Sequence, residues 1–180
     1  MRPLALGAFA FLATSLVSSA AFAGWQYAEW NMTPDQVISA SNGKARKASK
    51  QDLEKQKSDR RKYIADGLSI STNPEEWTLG LAYSEFYIGD MRNEVEFYFR
   101  HEKLTHIVVD PDNCHNVMSD YLKRLLIVKY GEPVYIDNDE LSNDTVWRDI
   151  SSKSMVTLRI FLDEVVKDEC TITYEPISEL

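Results

Sequence analysis

A cysteine stands directly beside a histidine in the stretch PDNCHNVMSDYL, residues 111–122. A thiol next to an imidazole can act as a nucleophile, and both groups can bind zinc. The chain contains one other cysteine, Cys170, so Cys114 can equally form a disulfide bond. The compartment in which the protein folds decides among these chemistries, because paired thiols are oxidised outside the cytosol.

The first 23 residues have the features of a secretory signal peptide. Arg2 supplies a positive charge, an apolar run extends from Leu4 to Val17, and Ala21-Phe22-Ala23 is a typical cleavage site. The apolar run is shorter than the roughly 20 residues of a membrane-spanning helix. We therefore expect a cleaved signal peptide over 1–23, no lipid anchor, no membrane span, and a single mature domain over 24–180 in the periplasm or outside the cell.

Export favours a disulfide bond between Cys114 and Cys170 over a nucleophile or a metal site. The residue spacing predicts a helix from about Asn113 to Tyr130, with one buried stripe formed by Cys114, Val117, Tyr121, Leu125 and Val128. Cys170 begins a predicted strand, CTITYEP, in which alternate residues face inward. Both cysteines are therefore expected to point into the same core.

The remaining polar residues show no catalytic or metal-binding pattern. The three histidines lack zinc-site spacing, and we interpret His106 as a core histidine on the inward face of a strand. The acidic loop over 137–144 lacks the glycine and the glutamate of a calcium loop. Nucleophile elbows and phosphate-binding glycine loops do not occur. We expect no metal, no cofactor and no catalytic residue; the alternative is a periplasmic hydrolase with an unrecognised site.

Strand patterns fill much of the chain. EVEFYFR alternates apolar and polar residues, and LTHIVVD pairs with it across HEK. MVTLRIFLD, with its last leucine, Leu162, inward, pairs in the same way with CTITYEP. GLSIST is also a predicted strand, and TLGLAYSEFYIGD is another with a bulge between Tyr83 and Phe86. The first hairpin predicts three facing pairs: Phe99 with Leu104, Phe97 with His106, and Val95 with Val108.

The stretch WNMTPDQVISASNG carries the signals of a helix start. Thr33 is a suitable N-cap, Pro34 fits the first helical position, and Gln36 completes a capping box. A helix followed by an antiparallel meander occurs twice, so half-repeats over 30–110 and 111–176 are expected. The predicted fold class is α+β, with two layers: an antiparallel sheet and helices on one of its faces.

The motif WNMTPDQV resembles the helix that opens the small lipoprotein of the outer-membrane barrel-assembly machinery. The doubled helix-plus-meander plan is similar to that of the β-lactamase inhibitor protein. The chain also resembles uncharacterised exported bacterial proteins that combine such a helix with a Tyr-Gly-x-Pro turn, here Tyr130 to Pro133. These resemblances imply an envelope-associated or inhibitor-like binding role.

Residues 44–62, the basic segment, hold nine basic and three acidic residues in a chain of net charge −8. A solvated helix or a mobile insertion is the favoured interpretation of this segment. The alternative is that the segment binds an anionic surface or an acidic partner, because its charge is opposite to that of the rest of the chain. No aromatic residue interleaves the charges before Tyr63, so we expect no nucleic-acid binding. The candidate basic patch consists of Lys55, Lys57, Arg60, Arg61 and Lys62.

The outward positions of the two predicted hairpins supply a candidate binding face. Aromatic residues and arginine are enriched where proteins bind one another. The sequence therefore predicts an exported, non-enzymatic binding protein with a protein partner. Its candidate binding residues are Tyr98, Arg100, Arg159 and Phe161. The alternative is that these are ordinary surface residues of the sheet, or that the basic segment folds back and covers them.

Overall fold

A computed structural model describes residues 24–55, 78–88, 91–112, 114, 116–140, 142–162 and 169–177. The predicted signal peptide and the predicted strand GLSIST lie outside these residues. Residues 50–55 are helical. The other elements are β1 (Gly24–Trp25), β2 (Ala28–Glu29), α1 (Pro34–Ala40), β3 (Arg46–Lys47), β4 (Thr78–Ile88), β5 (Met91–Arg100), β6 (Lys103–Pro111), α2 (Asn116–Tyr130), β7 (Tyr135–Asn138), β8 (Ser142–Asp149), β9 (Ser154–Phe161) and β10 (Cys170–Pro176).

Eight strands form one sheet in the order β3-β4-β5-β6-β10-β9-β8-β7, and every neighbouring pair is antiparallel. The sheet consists of two consecutive meanders, β3 to β6 and β7 to β10. Their last strands, β6 and β10, pair at the centre, where Ile172 lies opposite Val109. The boundaries of the two sequence halves stay a prediction.

The core lies on one face of the sheet. Buried side chains alternate along the strands, as in β5, where Val95 and Phe97 are fully buried and their neighbours are not. The β1–β2 hairpin packs on this face through Trp25, whose ring centroid lies 5.9 Å from that of Phe97. Both labelled helices contribute to the same core, α1 through Val37 and α2 through residues named below. The predicted two-layer α+β fold is confirmed.

The β5–β6 hairpin corrects the predicted position of His106. Phe99 lies opposite Leu104, as predicted. A register shift then follows between Tyr98 and Phe99, so that Phe97 faces Ile107 and Val95 faces Val109. The prediction of His106 on the inward face is therefore wrong: His106 lies opposite Tyr98 on the outward face. One extra residue at a bulge exchanges the two faces of a strand.

Two other strand predictions have different outcomes. The bulge in β4 is confirmed, because the register against β5 shifts between Tyr83 and Phe86. In β9, Val156 and Leu158 are fully buried as predicted. The prediction of an inward Leu162 is wrong, since this residue follows the end of β9 and is 47% exposed.

The buried face of α2 differs from the predicted stripe. The helix begins at Asn116, so Cys114 precedes it. Leu122 and Leu126 are buried, and Leu125 is partly buried. The helix is thus rotated relative to the prediction, because the sheet beneath it, and not the residue spacing alone, selects the face that packs. Three members of the predicted stripe are exposed: Val117, Tyr121 and Val128.

The start of α1 is the capping box that the sequence predicts. Gln36 N donates to Thr33 Oγ1 at 3.4 Å, and Thr33 N donates to Gln36 Oε1 at 2.8 Å. Val37, the first buried residue of the helix, follows immediately. After the helix ends, Gly43 adopts a φ of 82°, a value that favours glycine.

Replacing Thr33 with alanine is expected to lower the free energy of unfolding by about 1 kcal/mol, because Gln36 N then loses its acceptor. Urea denaturation of the purified protein measures the change. Thr33→Ser is the matched control, since it keeps the hydroxyl and should retain most of the stability. An equal loss in both variants would contradict the capping role.

Candidate functional site

Cys114 and Cys170 form a disulfide bond, with their Cα atoms 5.6 Å apart. Both residues are buried. The bond joins the residue just before α2 to the first residue of β10. Because both sulfur atoms are bonded to each other, neither acts as a thiolate nucleophile or as a zinc ligand. His115, the neighbour that raised these possibilities, lies outside the described residues.

The sheet face opposite the core, here called the open face, carries the outward side chains of β5, β6, β10, β9 and β8. The helices α1 and α2 contribute their buried residues to the other face. Most outward side chains of the open face are partly exposed, and Arg100 and Arg148 are exposed. The open face therefore presents a broad, mixed surface of aromatic, hydroxyl and charged side chains.

All four residues of the predicted binding face lie on the open face, but in two separate places. Tyr98 and Arg100 are on β5, whereas Arg159 and Phe161 are on β9. The strands β6 and β10 lie between them. Three strand spacings amount to about 14 Å. The four side chains therefore share one surface without forming one cluster.

Around Tyr98 the open face is an ordered polar network. The hydroxyl of Tyr98 donates to Glu96, and its ring meets that of His106 edge-on at 5.8 Å between centroids. His106 Nδ1 lies 3.0 Å from Glu175 Oε1. The contact with His106 lowers the pKa of Glu175, although burial opposes the shift. The side chains of this corner are therefore held in place by one another.

A second ordered part of the open face, its second corner, is the ion pair of Arg159 with Asp144. Arg159 Nε donates to Asp144 Oδ1 at 2.8 Å and Arg159 Nη2 donates to Asp144 Oδ2 at 2.6 Å, a bidentate arrangement. This pairing raises the pKa of Arg159, mainly through the hydrogen bonds to Asp144. The arginine side chain remains 41% exposed, so it presents a fixed guanidinium edge on the surface.

Three carboxyl groups, the acidic cluster of Glu94, Glu96 and Asp110, lie on the open face where β5 and β6 pair. Glu94 stands directly opposite Asp110, and Glu96 is the next outward residue of β5. Burial raises the pKa of Asp110 to about 8, with further contributions from Glu96 and Glu94. The sequence alone does not predict this cluster, because only the strand register reveals which residue stands opposite Glu94.

The described part of the basic segment pairs with carboxylates of the same chain. Arg46 Nη1 lies 2.5 Å from Asp52 Oδ2, and this pairing raises the pKa of Arg46. Lys47 and Lys55 are also ion-paired, with distances of 3.5 Å to Asp35 and 3.1 Å to Glu94. Lys55 thus reaches the open face. The other members of the candidate basic patch lie outside the described residues: Lys57, Arg60, Arg61 and Lys62.

A cleft of about 340 Å³ lies on the helix-covered side, between α2, β10 and the N-terminal hairpin. Its walls are mainly apolar, and polar groups are few: the amide of Gln26, the ammonium of Lys129 and the hydroxyls of Tyr87 and Tyr174. Burial lowers the pKa of Lys129.

Two further searches concern the described residues. In those ranges, no three His, Cys, Asp or Glu side chains are grouped so that they could hold a metal ion. None of the helices in this part of the chain combines the length and the hydrophobicity that a bilayer crossing requires.

Comparison with protein-family models, with curated proteins and with solved structures finds no match for this chain.

Proposed function

We propose that this chain is an exported, non-enzymatic binding protein that docks a partner protein on the open face of its sheet. The observation that carries the proposal is that the helices cover one face of the sheet and not the other. Both labelled helices pack on one face, and the aromatic and charged side chains of the other face are partly or fully exposed in the described residues. Sheet faces of this composition are suited to protein recognition, because arginine and aromatic side chains supply most binding energy.

The fixed positions of the side chains on the open face support this role. Glu96, Tyr98, His106 and Glu175 hold one another in place at one corner, and Asp144 holds Arg159 at the other. A surface whose side chains are already fixed loses little conformational entropy on binding. The two corners, about 14 Å apart across the strands, fit the footprint of a folded partner better than that of a small molecule.

Export is the second part of the proposal. The N-terminal sequence has the composition of a signal peptide, and the disulfide bond is compatible with an oxidising compartment. An inhibitor-like or envelope-associated binding role agrees with this location. Under the proposal, the partner is a protein of the same compartment.

Replacing Arg100 and Phe161 together with alanine is expected to weaken partner binding by about tenfold or more, because these side chains lie in two separate parts of the proposed interface. Immobilised wild-type protein is used to capture partners from a periplasmic extract, and the captured partner is then titrated against the variant. Thermal unfolding should change by only a few degrees, since Arg100 is exposed and Phe161 is partly exposed.

The matched control replaces Val117 and Val128 with alanine. These two residues are exposed on α2, on the other side of the molecule. The control variant should bind the partner as the wild type does. Loss of binding in the control, together with full binding by the Arg100 and Phe161 variant, would move the interface to the helix side and contradict the proposal.

A further inference from the structure

We propose that the cleft between α2, β10 and the N-terminal hairpin binds a single acyl chain that ends in a carboxylate, with Lys129 as the partner of that carboxylate. The cleft lies on the helix-covered side of the sheet. The site is therefore separate from the open face, and it goes beyond the proposed function.

The walls of the cleft supply the apolar surface that an acyl chain needs. Six apolar side chains from α2, β10, β1 and β4 line it: Trp25, Phe86, Leu122, Leu125, Leu126 and Ile172. The rings of Trp25 and Phe86 meet edge-on, with 4.9 Å between their centroids. Trp25, Leu122 and Ile172 are buried members of the core. The walls are therefore held by packing and form an apolar surface before a ligand binds.

The size of the cleft suits a small ligand. Its volume of about 340 Å³ lies near the lower end of the range of small-molecule pockets, about 300–1,000 Å³. A helix, with a diameter of about 10 Å, is too wide for such a space. The wall that α2 provides is aliphatic, since its three apolar lining residues are leucines. A flexible aliphatic chain can follow this wall.

The polar groups of the cleft lie where it opens to solvent. Gln26, Tyr87 and Lys129 are the exposed residues among those that line it. Each of these side chains can donate a hydrogen bond. Among the described residues that line the cleft, Lys129 is the only charged one, and none is acidic. An apolar ligand with an acceptor group of negative charge at one end therefore matches the cleft.

Lys129 is placed to meet that negative charge. Its Nζ lies 4.7 Å from the centroid of the Tyr130 ring, and the Tyr130 hydroxyl lies 3.5 Å from that of Tyr174, a further lining residue. In the ranges that the structure describes, Lys129 forms no ion pair, and Asp149 attracts it only from a distance. The protein around the ammonium removes water from it and lowers its pKa. A carboxylate interacts more strongly with such an ammonium than with one in bulk water.

The first test measures by calorimetry how octanoate and decanoate bind to the purified protein, below the concentrations at which they form micelles. Each methylene group that enters an apolar site strengthens binding about fourfold, so decanoate should bind at least about tenfold more tightly than octanoate. Decyltrimethylammonium has the same chain and the opposite charge, and it should bind at least about tenfold more weakly than decanoate.

Equal affinities for octanoate and decanoate would overturn the proposal, as would an equal or higher affinity for decyltrimethylammonium. Absence of decanoate binding up to its solubility limit would do the same. Tighter binding of 1-naphthoate than of decanoate would identify a site for aromatic acids, and the acyl chain would have to be abandoned.

The second test replaces the cation. Lys129→Gln should weaken decanoate binding about fivefold and leave binding of the neutral decanol unchanged, because only the carboxylate loses its partner. Lys123→Gln is the matched control, since Lys123 is also on α2, is not among the described lining residues, and carries the same charge. Equal losses in the two variants would show an effect of net charge and contradict the role of Lys129.

The third test locates the ligand. The indole resonance of Trp25 should shift when decanoate is added, because this side chain lines the cleft. Leu125→Phe narrows the cleft at a partly buried position and should weaken decanoate binding about tenfold. An unchanged Trp25 resonance together with full decanoate binding by Leu125→Phe would place the ligand elsewhere and overturn the proposal.

These experiments fail separately from the one on the proposed function. The Arg100 and Phe161 variant is changed on the open face, so it should bind decanoate as the wild type does. Failure of partner capture leaves the acyl-chain site standing, and failure of decanoate binding leaves the proposed function standing.

Discussion

Replacing Cys114 and Cys170 together with alanine is expected to lower the free energy of unfolding by about 4 kcal/mol. The bond joins positions 56 residues apart, so it restricts a long segment of the unfolded chain. It also fastens the start of α2 to the central part of the sheet, where β10 pairs with β6 and β9. Guanidinium denaturation measures the loss, and the melting temperature should fall by roughly 10 °C.

The control is the wild-type protein in a reducing agent, which should unfold at the same denaturant concentration as the double variant. Intact wild-type protein should weigh about 2 Da less than its reduced form, because bond formation removes two hydrogen atoms. Two alkylatable thiols in the purified protein, or equal stability of the oxidised and reduced forms, would contradict the prediction.

Asp110→Asn is expected to stabilise the protein at high pH and to leave its stability nearly unchanged near pH 4. In the folded protein the pKa of Asp110 is about 8, against 3.8 for an unperturbed aspartate. Between these values the unfolded chain gives up its proton while the folded chain keeps it. The contribution of Asp110 to stability is therefore complete below pH 4 and is lost as the pH rises to 8.

The expected gain for Asp110→Asn at pH 9 is about 2 kcal/mol. The full pKa change would correspond to at most roughly 6 kcal/mol, and water around a half-buried side chain reduces that value. Urea denaturation at several pH values between 4 and 9 measures the profile. Asp120→Asn, at an exposed position on α2, is the control and should show no such dependence. A gain that does not grow with pH would contradict the role assigned to Asp110.

The parts of the fold that depend on neighbouring residues were predictable. Thr33, Pro34 and Gln36 lie within one turn, so the start of α1 could be read directly. The alternation along β5 placed Tyr98 and Arg100 on the outward face for the same reason, since neighbouring side chains of a strand point to opposite faces. These predictions needed no information on distant parts of the chain.

The candidate site was only partly predictable. The sequence indicated an outward face with aromatic and arginine side chains, and these residues do lie on it. It did not indicate that β6 and β10 separate them, because strand order depends on the pairing of segments far apart in the chain. It also did not indicate that Lys55 reaches Glu94, a contact between residues 39 positions apart.

The sequence by itself determined the antiparallel hairpins, the helix start and the alternation of inward and outward residues, because these follow from residue type and short-range spacing. It also determined the disulfide pairing, because the chain has two cysteines. The tertiary structure alone decided the bulge that turns His106 outward, the face of α2 that is buried, and the opposition of Glu94 and Asp110. The physical reason is that register and helix rotation are set by packing between segments distant in sequence. A shift of one residue, which hardly changes the pattern, moves a side chain from the core to the open face.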